Sequence, residues 1–414
     1  MSMLSIARSV PTAEASVPEE RRAARRYGAG FWTIAAVFVT AMAFSTVPTP
    51  LYPLYQAHDG FSTFTVTIVF AVYAVGVLVS LLLAGHVSDW VGRKKVLVGA
   101  LLLELVAAVL FLAAPSLPVL LVARLVTGLG VGMLTATATA HLHDLHTAHR
   151  PGGSPQRFEI VSTAANIGGL GVGPLVAGLL AQYLGAPLRL PYAVVGALLL
   201  MGIAAVALTP ETVRRPQVRP AYRPQRVSAD HGDRAGYIAA AAAGFASLAV
   251  FGLFTSLVPG FVGGTLHHPS RALSGLIVFS VFAAAAVAQT LSGRLGDRAR
   301  RTTGLLAQAA GVIVLAVGVH TASLPVFLVA GIMAGVGAGV LFKSAVGSVA
   351  AMAAPARRGE ALAGLFLASY LGLALLPVGL GVATRYTTMA AALTWFAVVV
   401  LALLASVAVL ARRR

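Results

Sequence analysis

Apolar residues run along this chain in blocks of about twenty, the length a helix needs to cross the hydrocarbon core of a bilayer. Polar stretches and Pro/Gly breaks separate the blocks. Reading between them predicts twelve membrane helices, at about 31–55, 63–85, 96–114, 117–140, 160–183, 190–209, 236–262, 272–292, 303–320, 324–347, 361–383 and 388–410. Two breaks are long. The first 27 residues are polar, Arg-rich and Pro-containing and show no secretory leader, and the N-terminal segment reads as a disordered tail. Residues 210–234 are Pro- and Arg-rich with almost no aliphatic content and read as an extended linker. The expected organisation is therefore a tail (1–30), a six-helix bundle (31–209), a linker (210–235), a second six-helix bundle (236–410) and a basic C-tail (411–414).

The two bundles resemble each other. Leu117–Gly132 aligns with Leu324–Gly339 at an offset of 207, with nine of sixteen positions identical. "GHVSDWVGRKKVL" aligns with "GRLGDRARRTTGL" at an offset of 208 and pairs Asp89 with Asp297. Spans 5 and 11 align at 203 and pair Pro174 with Pro377 and Gly178 with Gly381. Six spans repeated in one orientation make a parallel repeat about an axis along the membrane normal.

Composition agrees. The chain is 58% hydrophobic and 10% charged, with a mean hydropathy of +0.87, whereas a soluble domain is about a quarter charged. It has no cysteine, which excludes disulfides and thiolate metal sites. The net charge of +17 is a topology signal. With the N-terminus taken as cytoplasmic, 25 of the 30 Lys and Arg residues fall in cytoplasmic segments. Three (Arg189, Arg271 and Arg385) fall outside, and two (Arg124 and Lys343) fall within spans. That is the positive-inside asymmetry, and bases spread over every cytoplasmic loop do not make a nucleic-acid face.

Three motifs carry a resemblance. "GHVSDWVGRKK" resembles the signature loop of the major facilitator superfamily, with Gly85, Asp89, Gly92, Arg93 and Lys94 in pattern and Trp90 where a base is usual. A degenerate second copy keeps Asp297, Arg300 and Arg301. "ARLVTG" resembles a second family motif through Arg124 and Gly128. "GLGVGPLVAG" resembles the antiporter signature of span 5 through Gly169, Gly173, Pro174 and Gly178, with Ala177 in place of one glycine. "TPET" after span 6 resembles a further family feature. The resemblance implies two pseudo-symmetric six-helix bundles, and a signature loop that acts as a gate between them. In that gate Asp89 would accept from a helix N-terminus of the other half, and Arg93 would pair with an acid near the end of span 4, Asp144 being nearest. It implies a kinked span 5 that goes with drug:proton antiport.

Arg124 is then either a proton-step residue or a structural donor to backbone carbonyls. Glu104 is the one carboxylate deep in a span, and its small neighbours Ala100, Ala107 and Ala108 turn it toward another helix. It is either a coupling carboxylate or a buried structural group. Lys343 either faces the cavity or snorkels to the surface. Tyr55, Asn166, Phe254, Gln289 and Tyr370 complete the cavity candidates, although Tyr55 also suits an interfacial aromatic belt. So few charges favour an amphipathic, neutral or weakly cationic organic substrate. "HLHDLHTAHR" (His141–Arg150) has spacing too uneven for a metal site, and no ATP-binding Gly-x-x-x-x-Gly-Lys-Ser/Thr is present. The expectation is a non-enzymatic, cofactor-free, monomeric exporter of small organic compounds in exchange for protons, in a bacterial plasma membrane, with both termini cytoplasmic. The open alternatives are a proton-coupled importer, a facilitator or a membrane sensor.

Overall fold

The structure is a computed structural model that describes residues 17–213, 222–227, 233–354 and 357–412. The expected tail residues 1–16, Arg214, Arg215 and Arg219 of the linker, and Arg413 and Arg414 lie outside the described residues. Among the described residues every regular element is a helix, and twelve helices are long and apolar enough to cross a membrane. Spans 1–6 are Ala24–Asp59, Thr63–Ala84, Arg93–Ala113, Leu117–His149, Gln156–Tyr183 and Leu190–Leu208. Spans 7–12 are Arg234–Ser256, Arg271–Arg294, Asp297–His320, Leu324–Met352, Arg358–Ala383 and Met389–Ala411.

Several ends differ from the sequence expectation. The first helix begins at Val17, so residues 17–30, expected as disordered tail, are helical. Pro18 suits a helix start, and the Glu, Arg and Ala that follow are good helix formers. Pro48, Pro50 and Pro53 then break span 1: regular helix ends at Thr46, and a short turn, Thr49–Leu51, leads into Tyr52–Asp59. Span 4 continues to His149, and span 5 starts at Gln156. Span 7 stops at Ser256, and a separate short helix, Val258–Gly264, opens with Pro259.

Lipid tails are as apolar as leucine, so close packing rather than burial joins the helices. Spans 2 and 4 cross through Gly76 and Gly128: a Cβ on Gly76 would meet the Leu125 carbonyl, and one on Gly128 the Tyr73 carbonyl. In span 5, Gly173 lies against Ala43 and Thr46 of span 1.

The described parts of loops 2–3, 4–5, 6–7, 8–9 and 10–11 share one face, here called the basic face, and these loops carry most of the bases of the sequence. The two halves meet near the opposite face. There Gly178 of span 5 lies on the Arg271 carbonyl, and Gly275 of span 8 lies on the Pro174 carbonyl. The Arg271 backbone N–H donates to Gln182 Oε1 at 3.0 Å, and its guanidinium donates to the Ala181 carbonyl at 3.0 Å. Gly381 of span 11 packs on Thr67 of span 2, and the Arg385 guanidinium lies 4.1 Å above the Phe64 ring. On the basic face the Arg93–Asp89, Arg93–Asp144 and Arg300–Asp297 ion pairs each stay within one half.

Candidate functional site: the signature loop and the central cavity

The signature loop turns at Gly92, whose φ of +110° belongs to glycine's range. A side chain would be strained there. Its Cβ would also come within 2.8 Å of Glu211 Oε2. Glu211, just after span 6, accepts from the N–H groups of Arg93 (3.0 Å) and Lys94 (3.1 Å), the exposed start of span 3. A carboxylate at a helix N-terminus satisfies orphan donors and complements the helix dipole. Lys94 Nζ donates to the Ala207 carbonyl of span 6 at 2.7 Å. Glu211→Ala is expected to cost about 1 kcal/mol, the usual worth of a helix cap. Thermal unfolding in detergent should show a lower midpoint, with Glu211→Gln in between.

Arg93 links the loop to span 4. Its Nε donates to Asp144 Oδ2 at 3.2 Å, and its terminal nitrogen donates to Ser88 Oγ at 2.7 Å and to Asp89. The same Asp144 oxygen accepts from Thr212 Oγ1 at 3.0 Å, and Thr212 lies 3.1 Å from His141 Nδ1. Asp89 departs from its expected contact. It pairs with Arg93 one turn away, its side chain is 64% exposed, and among the described residues it has no ion pair with the other half.

The second copy is simpler. Arg300 donates to the Ser292 and Leu295 carbonyls (3.1 and 2.8 Å) and to Asp297 (3.2 Å). Ala351 stands where the repeat would place a partner for Asp144. Arg301 borders a shallow recess with Gly236 and Ser344 and forms no ion pair among the described residues. The His141–His149 stretch is helix rather than loop, with His141 and His146 buried. Among the described residues no group of three or more His, Cys, Asp or Glu is placed to hold a metal.

Between the halves lies a cavity of about 540 Å³. Its lining runs from Thr46, Tyr73 and Thr255 to Leu81, Thr139, Glu159 and Val346 near the basic ends of their spans. Asn166, Gln289, Lys343 and Tyr370 line it, as expected of cavity residues. Tyr55 and Phe254 do not. Tyr55 is buried in the first bundle with its hydroxyl 3.1 Å from that of Tyr192, and Phe254 packs on Phe327 and Gly331 in the second. Lys343 does not reach away to the surface: its ammonium donates to the Gln289 carbonyl at 2.9 Å. Glu159, absent from the sequence candidates, also lines the cavity. It was hidden because span 5 was expected to begin one residue later, at 160.

The antiporter-like stretch shapes this cavity. Ala164–Gly168 winds as a π-helical turn that contains Asn166. Such turns concentrate at functional sites. Pro174 removes the donor that would bond the Leu170 carbonyl, and Thr46 Oγ1 of span 1 donates to that carbonyl at 2.9 Å instead. Gly169 and Gly173 face span 1, whereas Gly178 faces span 8 of the other half.

Arg124 is buried behind the cavity wall. It donates to the Ser45 carbonyl at 2.6 Å, beside the proline break of span 1, and its guanidinium lies 4.3 Å from the Tyr73 ring centroid. Tyr73 separates it from the cavity it helps to line. Glu104 is fully buried against Gly130 of span 4, and neither carboxylate oxygen finds a hydrogen-bond partner among the described residues. Gln308 of span 9 packs on Gly337, the repeat equivalent of Gly130, and donates to the Ala246 carbonyl at 2.8 Å. The two halves thus hold an acid and an amide against equivalent glycines.

Comparisons place this architecture among known proteins. By fold the chain is similar to the human organic anion transporter MFSD10 (TETRAN), with TM-score 0.68 and 18% identity over 94% of this chain and 100% of that one. It is also similar to the peptide transporter POT in complex with sulfate, with TM-score 0.74 and 14% identity over 95% and 98%. A bacterial homologue of the human lysosomal transporter Spinster, solved inward-facing and unoccupied, matches with TM-score 0.69 and 15% identity over 96% of each chain. In sequence it is 29% identical over 100 residues to D-xylose-proton symporter-like 1 of Arabidopsis thaliana, covering 24% of this chain and 20% of that one. It is 29% identical over 154 residues to the uncharacterized MFS-type transporter Rv1250 of Mycobacterium tuberculosis, covering 37% and 26%. The aligned parts thus span about a fifth and a quarter of these relatives' lengths. The Major Facilitator Superfamily model matches residues 33–261 and 239–414, both halves of the repeat, and the chain belongs to that superfamily.

Proposed function

We propose that the protein is a secondary transporter that moves a small amphipathic organic solute by alternating access, and that it exports this solute in exchange for protons. The observation that carries the reading is the 540 Å³ cavity between two pseudo-symmetric halves. Backbone contacts pin the halves together at one face, and the cavity lining runs from there toward the basic ends of the spans. A pore would need both ends open. A carrier needs one closed at a time, and the backbone contacts of Gly178 and Gly275 close one here.

The basic face is the cytoplasmic one by the positive-inside rule, so this conformation faces inward and the termini are cytoplasmic. The bacterial plasma membrane is the proposed site, and a monomer suffices because the cavity lies within one chain. The Gly-rich, Pro-kinked span 5 supports antiport over uptake. The signature loop is the proposed cytoplasmic gate, which engages the second half when the basic face closes. Proteoliposomes loaded to different pH test the reading. Solute movement driven by an imposed proton gradient, with proton flux in the opposite sense, is expected. Movement that ignores the gradient would mark a facilitator, and no movement of any solute would overturn transport.

The gate has its own test. Asp89 is exposed, and its pair with Arg93 adds little stability. Asp89→Asn is expected to keep normal expression and melting while cutting transport several-fold, because the charge is needed only when the gate closes. Full transport at equal protein level would remove the loop from the mechanism.

A further inference from the structure

We infer that the cavity binds an amphipathic organic anion, with an aromatic or aliphatic body and one acidic group that pairs with Lys343. This rests on the transporter reading for the cavity's role as the substrate site, and it names the substrate's chemistry. It also reverses the sign of charge expected from the sequence.

The walls set the body of the ligand. Phe70, Phe251, Phe282, Phe342 and Phe366 line the cavity and offer a broad apolar surface that suits a ligand with an aromatic or aliphatic body. A pocket of this volume suits a drug-sized molecule.

Lys343 sets the charge. It is the single Lys or Arg among the lining residues. It is half-buried, and its ammonium has one hydrogen-bond acceptor, the neutral Gln289 carbonyl. Two of its three N–H groups remain for a ligand. A half-buried cation whose one hydrogen-bond partner is neutral has donors to spare, and an arriving carboxylate supplies both acceptors and the opposite charge.

The acid of the cavity does not fill that role. Glu159 lies on the first turn of span 5, in the other half, and is exposed. It lines the same cavity as Lys343, and no ion pair joins the two among the described residues. Water solvates Glu159, so it offers a cationic ligand less than Lys343 offers an anionic one. An anion bound at Lys343 must approach past this like charge.

Equilibrium binding to the purified protein in detergent tests the proposal with three probes that share one aromatic body: naphthalene-2-carboxylate, naphthalene-2-carboxamide and naphthalen-2-ylmethylammonium. The carboxylate is expected to bind at least tenfold more tightly than either analogue. Lys343→Gln should remove that preference, with an unchanged thermal midpoint of the purified protein as the control for folding. Lys343→Arg should retain it, and Lys343→Glu should favour the ammonium. Glu159→Gln should tighten carboxylate binding a few-fold. An ammonium that binds as well as the carboxylate would overturn the inference. So would a carboxylate affinity untouched in Lys343→Gln, or no binding of any probe at millimolar concentration. Binding needs no gradient. Lys343-dependent binding without transport in liposomes would therefore overturn the transport reading alone, and transport indifferent to Lys343 would overturn this inference alone.

Discussion

Arg124→Lys is expected to lower the thermal midpoint of the detergent-solubilised protein by several degrees and to leave the pH profile of transport unchanged. The guanidinium is fully enclosed, donates to the Ser45 carbonyl and spreads its plane over Tyr73. That carbonyl sits where three prolines end the regular helix of span 1. A charged donor to a buried acceptor is worth about 1.5–3 kcal/mol, and the planar fork and ring contact do not transfer to an ammonium. Lysine should thus lose both the hydrogen bond's geometry and the stacking. Arg124→Met, which keeps bulk without charge, should cost as much or more and remove most transport through the displaced end of span 1. The competing reading makes Arg124 a charge in the proton step. It requires lysine to keep a good part of transport and to shift its pH dependence. A shifted profile with an unchanged midpoint would establish that reading and overturn the clamp.

Gly173→Val should be the most damaging single substitution in span 5. The first atom of any side chain there collides with the Ala43 carbonyl and the Thr46 hydroxyl. The same hydroxyl bonds the Leu170 carbonyl that Pro174 leaves free, so pushing the helices apart also strands that acceptor. Overpacking alone costs about 1–3 kcal/mol, and the lost hydrogen bond adds about 1 kcal/mol. Transport is expected to fall at least tenfold, with a lower yield of folded protein. Gly168→Val is the control, since nothing lies within 4 Å of a Cβ at that position. Equal damage at both sites would mean that the stretch needs glycine's backbone freedom rather than close contact with span 1.

The spans and the two halves could be read in the sequence because bilayer thickness sets run length and loop charge sets direction. Helix ends were less legible. Span limits were drawn where charge begins, but a helix can run on into water, as residues 17–30 and 141–149 do. The same rule hid Glu159. Aromatic residues were ambiguous for another reason: composition does not distinguish a ring facing a cavity from one facing a bundle core. Tyr370 proved the first kind and Tyr55 and Phe254 the second. Arg124 was visible as an expensive residue, but its acceptor lies 79 positions away in sequence. Arg271 and Arg385 were read only as exceptions to the charge rule, yet both help hold the halves together.

The seam between spans 5 and 8 has a mechanical consequence. Gly178 rests on the Arg271 carbonyl and Gly275 on the Pro174 carbonyl, main chain against main chain. Such a surface works as a bearing. It has no side chains to disengage and few hydrogen bonds to exchange, so one half can roll over the other with little friction. Resistance to opening then falls on the side-chain contacts around it, where Arg271 grips Gln182 and Ala181 and Arg385 covers the Phe64 ring. Under the alternating-access reading proposed above, this clasp would set the cycling speed and the glycine seam would lubricate it.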